Sequence, residues 1–269
     1  MDEPIAEKHK FHQRASAGVL SVARSAWQGI VDVVTPPLCM ACQIPVQQGA
    51  GLCLACWSKL QMIDEPLCDC LGTPFAYDEG EGALSPAALA DPPMWDKGRA
   101  AVAFDDASKA LVHQLKYQDT FEAGIAMARM MVGAGRKLLA DCDVILPVPL
   151  HRLRLWQRRF NQAAFLSQLI SQQTGIASLT DVLLRQRDTK RQVGLDASQR
   201  QKNVRKAFAV ALERQQAIEG KTVLLVDDVR TTGATANACA EVLKQAGAAR
   251  VHVLSFALVL EPARLHIEV

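Results

Sequence analysis

The feature that most constrains this chain is a short stretch in its last quarter, residues 222–246. Residues 222–226 are mostly apolar and predict a strand buried on both faces. Asp227 and Asp228 follow at once, and a turn rich in threonine and glycine leads into a predicted helix over residues 234–246. A buried strand that passes through such a turn into a helix favours an α/β fold with a parallel sheet flanked by helices.

The same turn is suited to holding a phosphate group. Glycine allows close approach of the backbone, and N–H groups and hydroxyls at the start of a helix can surround an anion. The residues concerned are Thr231, Thr232, Gly233, Ala234 and Thr235. The two carboxylates would repel a bare phosphate, but they can accept hydrogen bonds from sugar hydroxyls or hold a divalent cation through water. A phosphate at one end and a diol at the other describe a ribose 5-phosphate, which an ordinary capped turn does not explain.

The rest of the C-terminal part alternates in the same way. Apolar runs predict strands over residues 100–104, 144–148, 179–184 and 250–260, and helical spacing predicts helices over residues 108–117, 121–140 and 161–174. Four segments follow from this reading, namely an N-terminal extension with a helix over 11–34 (1–35), a cysteine-rich module (36–72), a linker or loose loop rich in glycine and proline (73–98), and the α/β domain (99–269).

Four of the eight cysteines have the spacing of a metal site. They form two Cys-x-x-Cys pairs, ten residues apart: Cys39, Cys42, Cys53 and Cys56. Two such pairs can place four thiolates tetrahedrally around Zn²⁺, the alternative being a redox or merely buried set. Cys68 and Cys70 lack this spacing, although either could replace a ligand of the first site. Cys142 and Cys239 are predicted to be core thiols.

The charge is distributed unevenly. Residues 147–206 contain twelve Lys and Arg against three Asp, while the whole chain has a net charge of only +2. A basic segment of this kind indicates an anionic ligand, either phosphates or nucleic acid. Residues 151–159 combine cations with Trp156, which fits pyrophosphate binding, single-stranded DNA binding with base stacking, or a solvated helix face. Lys116 could also reach an anion, but a lysine is more commonly a surface residue.

The N-terminus and the apolar runs bear on location. No run reaches the roughly 18 apolar residues of a membrane span. Asp2, Glu3 and Glu7 are wrong for a secretory signal. We therefore expect a soluble, cytoplasmic protein whose cysteines are reduced.

Several motifs together resemble one known family. The phosphate turn is similar to the signature of type I phosphoribosyltransferases, and further motifs resemble the ComF family of bacterial competence-related proteins. These motifs are Leu115-Lys116-Tyr117, Pro147-Val148-Pro149-Leu150, Arg159-Phe160-Asn161-Gln162-Ala163, Gln192-Val193-Gly194-Leu195, and Arg200 with Asn203. The paired cysteines match the N-terminal zinc module of that family.

The resemblance implies roles for individual residues. Asp227 and Asp228 would contact the ribose 2- and 3-hydroxyls, and residues 231–235 would hold the 5-phosphate. The turn after Pro147-Val148-Pro149 would face pyrophosphate, and residues 187–206 would cover the site. Charge at the pyrophosphate would come from Arg152, Arg158 or Arg159. The candidate catalytic residues are Asp227, Asp228 and Thr231.

Two positions depart from related sequences. Purine-salvage relatives carry an acidic residue where this chain has Thr231, which argues against a purine base activated in the same way. Arg230 occupies a position that is usually apolar or small in the family. Its side chain either faces solvent, which we expect, or intrudes on the site.

The resemblance implies two alternative functions. The first is a phosphoribosyltransferase, a glycosyltransferase that binds phosphoribosyl pyrophosphate with Mg²⁺ and contains a structural zinc ion. The second is a competence protein that keeps the fold without catalysis and binds single-stranded DNA or senses nucleotides, because the family is linked to DNA uptake.

Overall fold

A computed structural model describes residues 38–46, 51–117, 121–150, 160–186 and 207–260. The chain divides into two compact units, residues 1–53 and 54–269. The helix predicted over residues 11–34 lies outside the described residues. In the first unit, Leu38 pairs with Pro45 in an antiparallel bridge, and the Cys39 N–H donates to the Ile44 carbonyl at 2.7 Å. This closes a tight turn around Cys42.

The second unit contains the regular elements. Its helices are α1 (Leu54–Trp57), α2 (Pro86–Ala90), α3 (Asp106–Tyr117), α4 (Phe121–Ala134), α5 (Arg136–Ala140), α6 (Gln162–Thr174) and α7 (Ala234–Gln245), with a 3₁₀ helix at Leu212–Ala217. Its strands are β1 (Lys97–Ala103), β2 (Val144–Pro147), β3 (Leu183–Arg185), β4 (Phe208–Val210), β5 (Thr222–Arg230) and β6 (Arg250–Leu258).

Four strands form a parallel sheet in the order β1-β6-β5-β2. Apolar side chains of β5 and β6 that point to one face, such as Val223 and Val251, pack with Cys239 and Leu243 of α7. On the other face, helices α4 and α6 contact the sheet. A strand buried on both faces is expected to be mostly apolar, and residues 223–226 of β5 are apolar and buried. The predicted parallel sheet flanked by helices is confirmed.

Strand β5 is longer than predicted. The sequence places its end at residue 226, but the parallel ladder with β6 continues, pairing Asp227 with Ser255 and Arg230 with Leu258. Backbone pairing with a neighbouring strand does not depend on apolar side chains, so two carboxylates do not end the strand. The acid pair is therefore held at the carboxyl edge of the sheet by strand geometry.

The helix predicted over residues 121–140 is broken at Gly135. A Cβ at this position would lie 2.8 Å from Leu254 Cδ2 and 3.0 Å from the Met131 carbonyl oxygen. Only glycine fits so close to the sheet, and the chain starts the short helix α5 immediately after it. The strand predicted over residues 179–184 is shifted to Leu183–Arg185, where it pairs antiparallel with β4 in a separate two-stranded sheet.

Residues 71–98 do not form a loose loop. They contain the helix α2, whose first turn is capped by the Ser85 hydroxyl, and the side chains of Ala88 and Trp95 are buried. Strand β1 starts at Lys97, three residues earlier than predicted. The abundance of glycine and proline in this segment led to the prediction of a linker. The buried side chain of Trp95 shows instead that the segment packs against the rest of the unit. The division of the chain into four segments stays a prediction.

No helix in the described ranges has both the length and the apolar character that a bilayer span requires.

The central position of β5 leads to a stability prediction. Leu224 of β5 is fully buried, whereas Leu212 of the 3₁₀ helix is 86% exposed. We expect Leu224→Ala to lower the free energy of unfolding by about 2–5 kcal/mol, because it removes buried contacts and leaves a cavity. Leu212→Ala, the control, should change it by less than about 0.5 kcal/mol. Urea unfolding followed by circular dichroism measures both; equal losses would contradict the placement of β5 in the core.

Candidate functional site

The phosphate turn connects the end of β5 to the start of α7. Gly233 adopts the left-handed conformation, with φ of 77°, and α7 begins at the next residue. The Asn237 N–H donates to the Gly233 carbonyl, while the Ala234 N–H lies 3.4 Å from the Thr232 hydroxyl oxygen. The first N–H groups of a helix have no partner within the helix, so this end of α7 presents donors to an anion.

A cavity of about 610 Å³ lies beside this turn. One side is the turn itself, residues 230–234, and another is the end of β6 with Leu260. The remaining wall comes from residues 71–95, among them Pro93 and Trp95. The Met94 N–H also donates to the side-chain oxygen of Asn237 in α7. Residues 71–95 therefore form part of the candidate site, which the sequence did not predict.

Trp95 lies directly on the glycine of the turn. A Cβ at position 233 would be 2.6 Å from the Trp95 ring atom Cη2. The indole Nε1 donates to the Cys70 carbonyl at 2.7 Å, which fixes the plane of the ring. Gly233 is thus required both by its positive φ and by the space that the indole occupies.

The two aspartates at the edge of the sheet are oriented by the backbone that follows them. The Asp228 N–H donates to the Asp227 carboxylate at 2.9 Å, and the Val229 N–H donates to the Asp228 carboxylate at 2.8 Å. Burial and the neighbouring charge of Asp228 raise the pKa of Asp227 well above its usual value. The pair therefore binds a proton more readily than two isolated carboxylates would.

Lys116 accounts for the different behaviour of Asp228. Its ammonium group lies 2.7 Å from Asp228 Oδ2, and the two side chains are only 21% and 16% exposed. Burial raises the pKa of Asp228, but the charge of Lys116 outweighs it and holds this pKa below its usual value. The expectation that Lys116 is an ordinary surface lysine is wrong. Its place in the Leu115-Lys116-Tyr117 motif is the sequence signal that sets it apart from other surface lysines.

Arg230 is buried, contrary to the expectation that it faces solvent. It is 5% exposed, its guanidinium donates to the Leu71 carbonyl, and it lies 5.6 Å from the centre of the Trp95 ring. Burial lowers the pKa of Arg230 to about 10, so it stays charged at neutral pH. Because β5 continues to residue 230, its alternation turns this side chain inward, beneath the segment that carries Cys70.

The other end of the predicted site is described only in part. Asn161 caps α6 by accepting from the Ala163 N–H at 3.0 Å, and it donates to the Val148 carbonyl at 3.1 Å. This side chain fixes the start of the turn after β2. Arg152, Arg158 and Arg159, which were expected to face pyrophosphate, lie outside the described residues, as does the cover predicted over residues 187–206.

The four paired cysteines come together as predicted. Sulfur atoms of Cys39, Cys42, Cys53 and Cys56 all lie within 4.8 Å of one another. The Cys53 N–H donates to Cys39 Sγ at 3.2 Å. Burial raises the pKa of Cys39. The hydrogen bonds from the Cys53 N–H and from other backbone N–H groups outweigh this effect and lower the pKa to about 6, which favours a thiolate ligand.

The remaining cysteines lie elsewhere. Cys68 and Cys70 have their sulfur atoms 3.9 Å apart, and Cys68 Sγ accepts from the Ser85 N–H. Neither belongs to the four-cysteine cluster. Cys239 is fully buried in the core, and Cys142 is partly buried beside β2. Burial raises the pKa of both thiols, which suits unreactive side chains.

Two family models match parts of this chain. A family model described as "Double zinc ribbon domain" matches residues 30–87, and one described as "Phosphoribosyl transferase domain" matches residues 164–266. The chain is 31% identical to Competence protein F of Haemophilus influenzae over 77% of this chain and 90% of that protein. The chain belongs to the ComF family of competence proteins.

Two further relatives resemble this ComF-family chain over most of its length. DNA utilization protein YhgH of Escherichia coli K12 is 31% identical, over 82% of this chain and 96% of that protein. Competence protein ComFC of Bacillus subtilis is 25% identical, over 77% and 83%. Among solved structures, an orotate phosphoribosyltransferase from Aeropyrum pernix matches at a TM-score of 0.31 and 15% identity, covering 60% of this chain and 80% of that one. That likeness is too weak to support an argument.

For this ComF-family chain, the cysteine cluster leads to a metal prediction. A zinc ribbon with four clustered cysteines supports structural zinc. We expect about one zinc ion per chain by elemental analysis, and its loss when Cys39 and Cys53 are both replaced by serine, because two of four ligands are removed. Replacement of Cys68 and Cys70 by serine is the matched control and should leave the zinc in place. Loss of zinc from a folded control would return Cys68 or Cys70 to the ligand set.

The burial of Arg230 in this ComF-family chain leads to a second prediction. We expect Arg230→Met to lower the free energy of unfolding by about 1–3 kcal/mol, because it removes a charged hydrogen bond and a cation–π contact. Arg129→Met, a change at an exposed position of α4, is the control and should cost less than about 0.5 kcal/mol. Thermal and urea unfolding measure both. An unchanged stability of Arg230→Met would be at odds with the contact to Leu71.

Proposed function

We propose that this chain binds phosphoribosyl pyrophosphate with Mg²⁺ at the carboxyl edge of β5 and transfers the phosphoribosyl group to an acceptor, releasing pyrophosphate. One observation carries the proposal. A partly buried pair of carboxylates and a glycine turn at a helix start lie one after the other at the end of a single strand. This order matches the diol and the 5-phosphate of one sugar.

The binding part of the proposal assigns each end of the ligand. Asp227 and Asp228 accept hydrogen bonds from the 2- and 3-hydroxyls, and the backbone N–H groups of the turn, with Thr231, Thr232 and Thr235, hold the 5-phosphate. The hydrogen bonds from the Asp228 and Val229 N–H groups hold the carboxylates in place before the ligand arrives. A fixed carboxylate loses less conformational freedom on binding than a mobile one.

Asp227 and Asp228 also determine how Mg²⁺ could be held at this site. Carboxylate oxygens are ligands that Mg²⁺ prefers, but one oxygen of Asp228 is occupied by Lys116, and the raised pKa of Asp227 favours a proton. The residues therefore fit an ion held mainly by the ligand's own diphosphate and contacted through water. When bound, the ion neutralises the charge that develops on departing pyrophosphate.

In the transfer, the bond between C1 of the ribose and the pyrophosphate oxygen breaks, and a bond from C1 to the acceptor forms. The reaction passes through an oxocarbenium-like state, as in glycoside chemistry. The protein's part is to hold the sugar and stabilise the leaving group, with Arg152, Arg158 or Arg159 proposed for the latter.

A second function is favoured by the names of relatives and by the charge of residues 147–206. Relatives of this chain are named Competence protein F and DNA utilization protein YhgH, and this segment carries twelve cations against three aspartates. Under this alternative the chain binds single-stranded DNA or senses nucleotides and does not catalyse transfer. For both functions we propose a cytoplasmic location, where cysteines are expected to be reduced.

The assignment of Asp228 can be tested by titration calorimetry. We expect Asp228→Asn to weaken binding of phosphoribosyl pyrophosphate at least about tenfold, because a charged acceptor of the diol is lost. Asp141→Asn is the matched control, since Asp141 pairs with Arg250 at the opposite, amino edge of the sheet. Its affinity should be that of the unmodified protein. Equal affinity in all three proteins would remove Asp228 from the site.

Transfer and DNA binding are separated by two further measurements. Incubation with phosphoribosyl pyrophosphate, Mg²⁺ and a panel of bases and amines should release pyrophosphate. If no acceptor gives release, while single-stranded DNA binds with a strong salt dependence, the second function replaces the first.

A further inference from the structure

The contact between Lys116 and Asp228 has a consequence for which ligand the site selects. Lys116 lies in the last turn of α3, and its ammonium group is 2.7 Å from Asp228 Oδ2. The other oxygen of this carboxylate accepts from the Val229 N–H at 2.8 Å. Asp228 is thus held from one side by the backbone of its own strand and from the other by a cation that belongs to a different element.

Lys116 has donors left after this contact. An ammonium group carries three N–H donors at the end of a flexible four-carbon stem, and one contact with a carboxylate occupies one of them. The side chain is 21% exposed, so its tip is not sealed into the core. A ligand that takes a place beside Asp228 therefore meets a positive charge that is already positioned.

The chemistry of the ligand decides which of its groups lies there. In phosphoribosyl pyrophosphate the diphosphate is attached to C1, and the neighbouring carbon C2 carries one of the hydroxyls of the diol. When the 2-hydroxyl is the one that donates to Asp228, the diphosphate on C1 lies close to the cation that contacts the same carboxylate. Ribose 5-phosphate has the same diol and the same 5-phosphate, but only a neutral hydroxyl at C1.

We propose that Lys116 is a positioning residue that contacts the diphosphate and selects phosphoribosyl pyrophosphate over ribose 5-phosphate. The proposal rests on the function proposed above, since it assumes that the diol is held by the acid pair. It adds a group from α3 to the acid pair of β5 and the turn that leads into α7. A charged hydrogen bond to phosphate in a partly buried site is among the stronger polar contacts in proteins.

The test measures, for each protein variant, the ratio of its affinities for two ligands. Titration calorimetry at a single Mg²⁺ concentration gives the affinities for phosphoribosyl pyrophosphate and for ribose 5-phosphate. In Lys116→Met we expect the ratio of the two affinities to fall about 10-fold to 100-fold, the size of a lost charged hydrogen bond. Lys116→Arg, which keeps the charge, should keep most of the ratio.

Two further variants separate selection from support of the fold. Lys116→Gln can still donate to Asp228 but has no charge, so it should fold and lose the ratio as Lys116→Met does. Lys137→Met removes a lysine whose partner is Glu65 and whose side chain is 70% exposed. It should leave the ratio unchanged.

The outcomes are distinguishable. If Lys116→Met and Lys116→Gln weaken both ligands equally, the lysine only supports Asp228 and the inference is wrong, while the proposed function stands. If the unmodified protein binds neither ligand, the proposed function fails, and the inference fails with it. A fall in the ratio, with the affinity for ribose 5-phosphate nearly constant, supports both.

Discussion

Parallel pairing between β5 and β6 continues beyond the apolar part of β5, and this pairing holds the candidate site together. It extends the backbone from Val226 to Arg230 in strand geometry, so that the side chains alternate at the edge of the sheet. This pairing fixes the positions of Asp227 and Asp228 and the point at which the turn to Gly233 begins. It also directs the side chain of Arg230 inward. A flexible loop in place of this ladder would give none of the three.

The sequence predicted the parts of the fold that depend on local pattern. The apolar run before Asp227, the helix after Gly233 and the two cysteine pairs were each found where they were expected, because each follows from spacing within one short segment. The predicted end of β5 was wrong because the true end is set by hydrogen bonds to β6, whose residues are distant from β5 in the sequence. Gly135 was read as part of one long helix for a similar reason, since Leu254 of β6 is what excludes a side chain there.

The site was predicted less completely than the fold. The assignments of the acid pair and the turn come from one stretch of sequence and stay predictions about binding. The contacts of Lys116 with Asp228, Trp95 with position 233 and Met94 with Asn237 each join residues more than 100 positions apart. Two of them also involve a segment that resembles a linker by composition. Charge alone marked Lys116 as a surface residue. Its proximity to a carboxylate can only be known from the packing of α3.

The arrangement around Gly233 limits which residues can occupy position 233. The glycine has a positive φ, and the indole of Trp95 fills the space where a side chain would begin. The indole is in turn tied to the Cys70 carbonyl, and its ring lies against Arg230. A smaller residue at position 95 would free space for a methyl group at 233 but would leave the strained backbone unchanged. A smaller residue at position 95 alone therefore does not make a side chain acceptable at position 233.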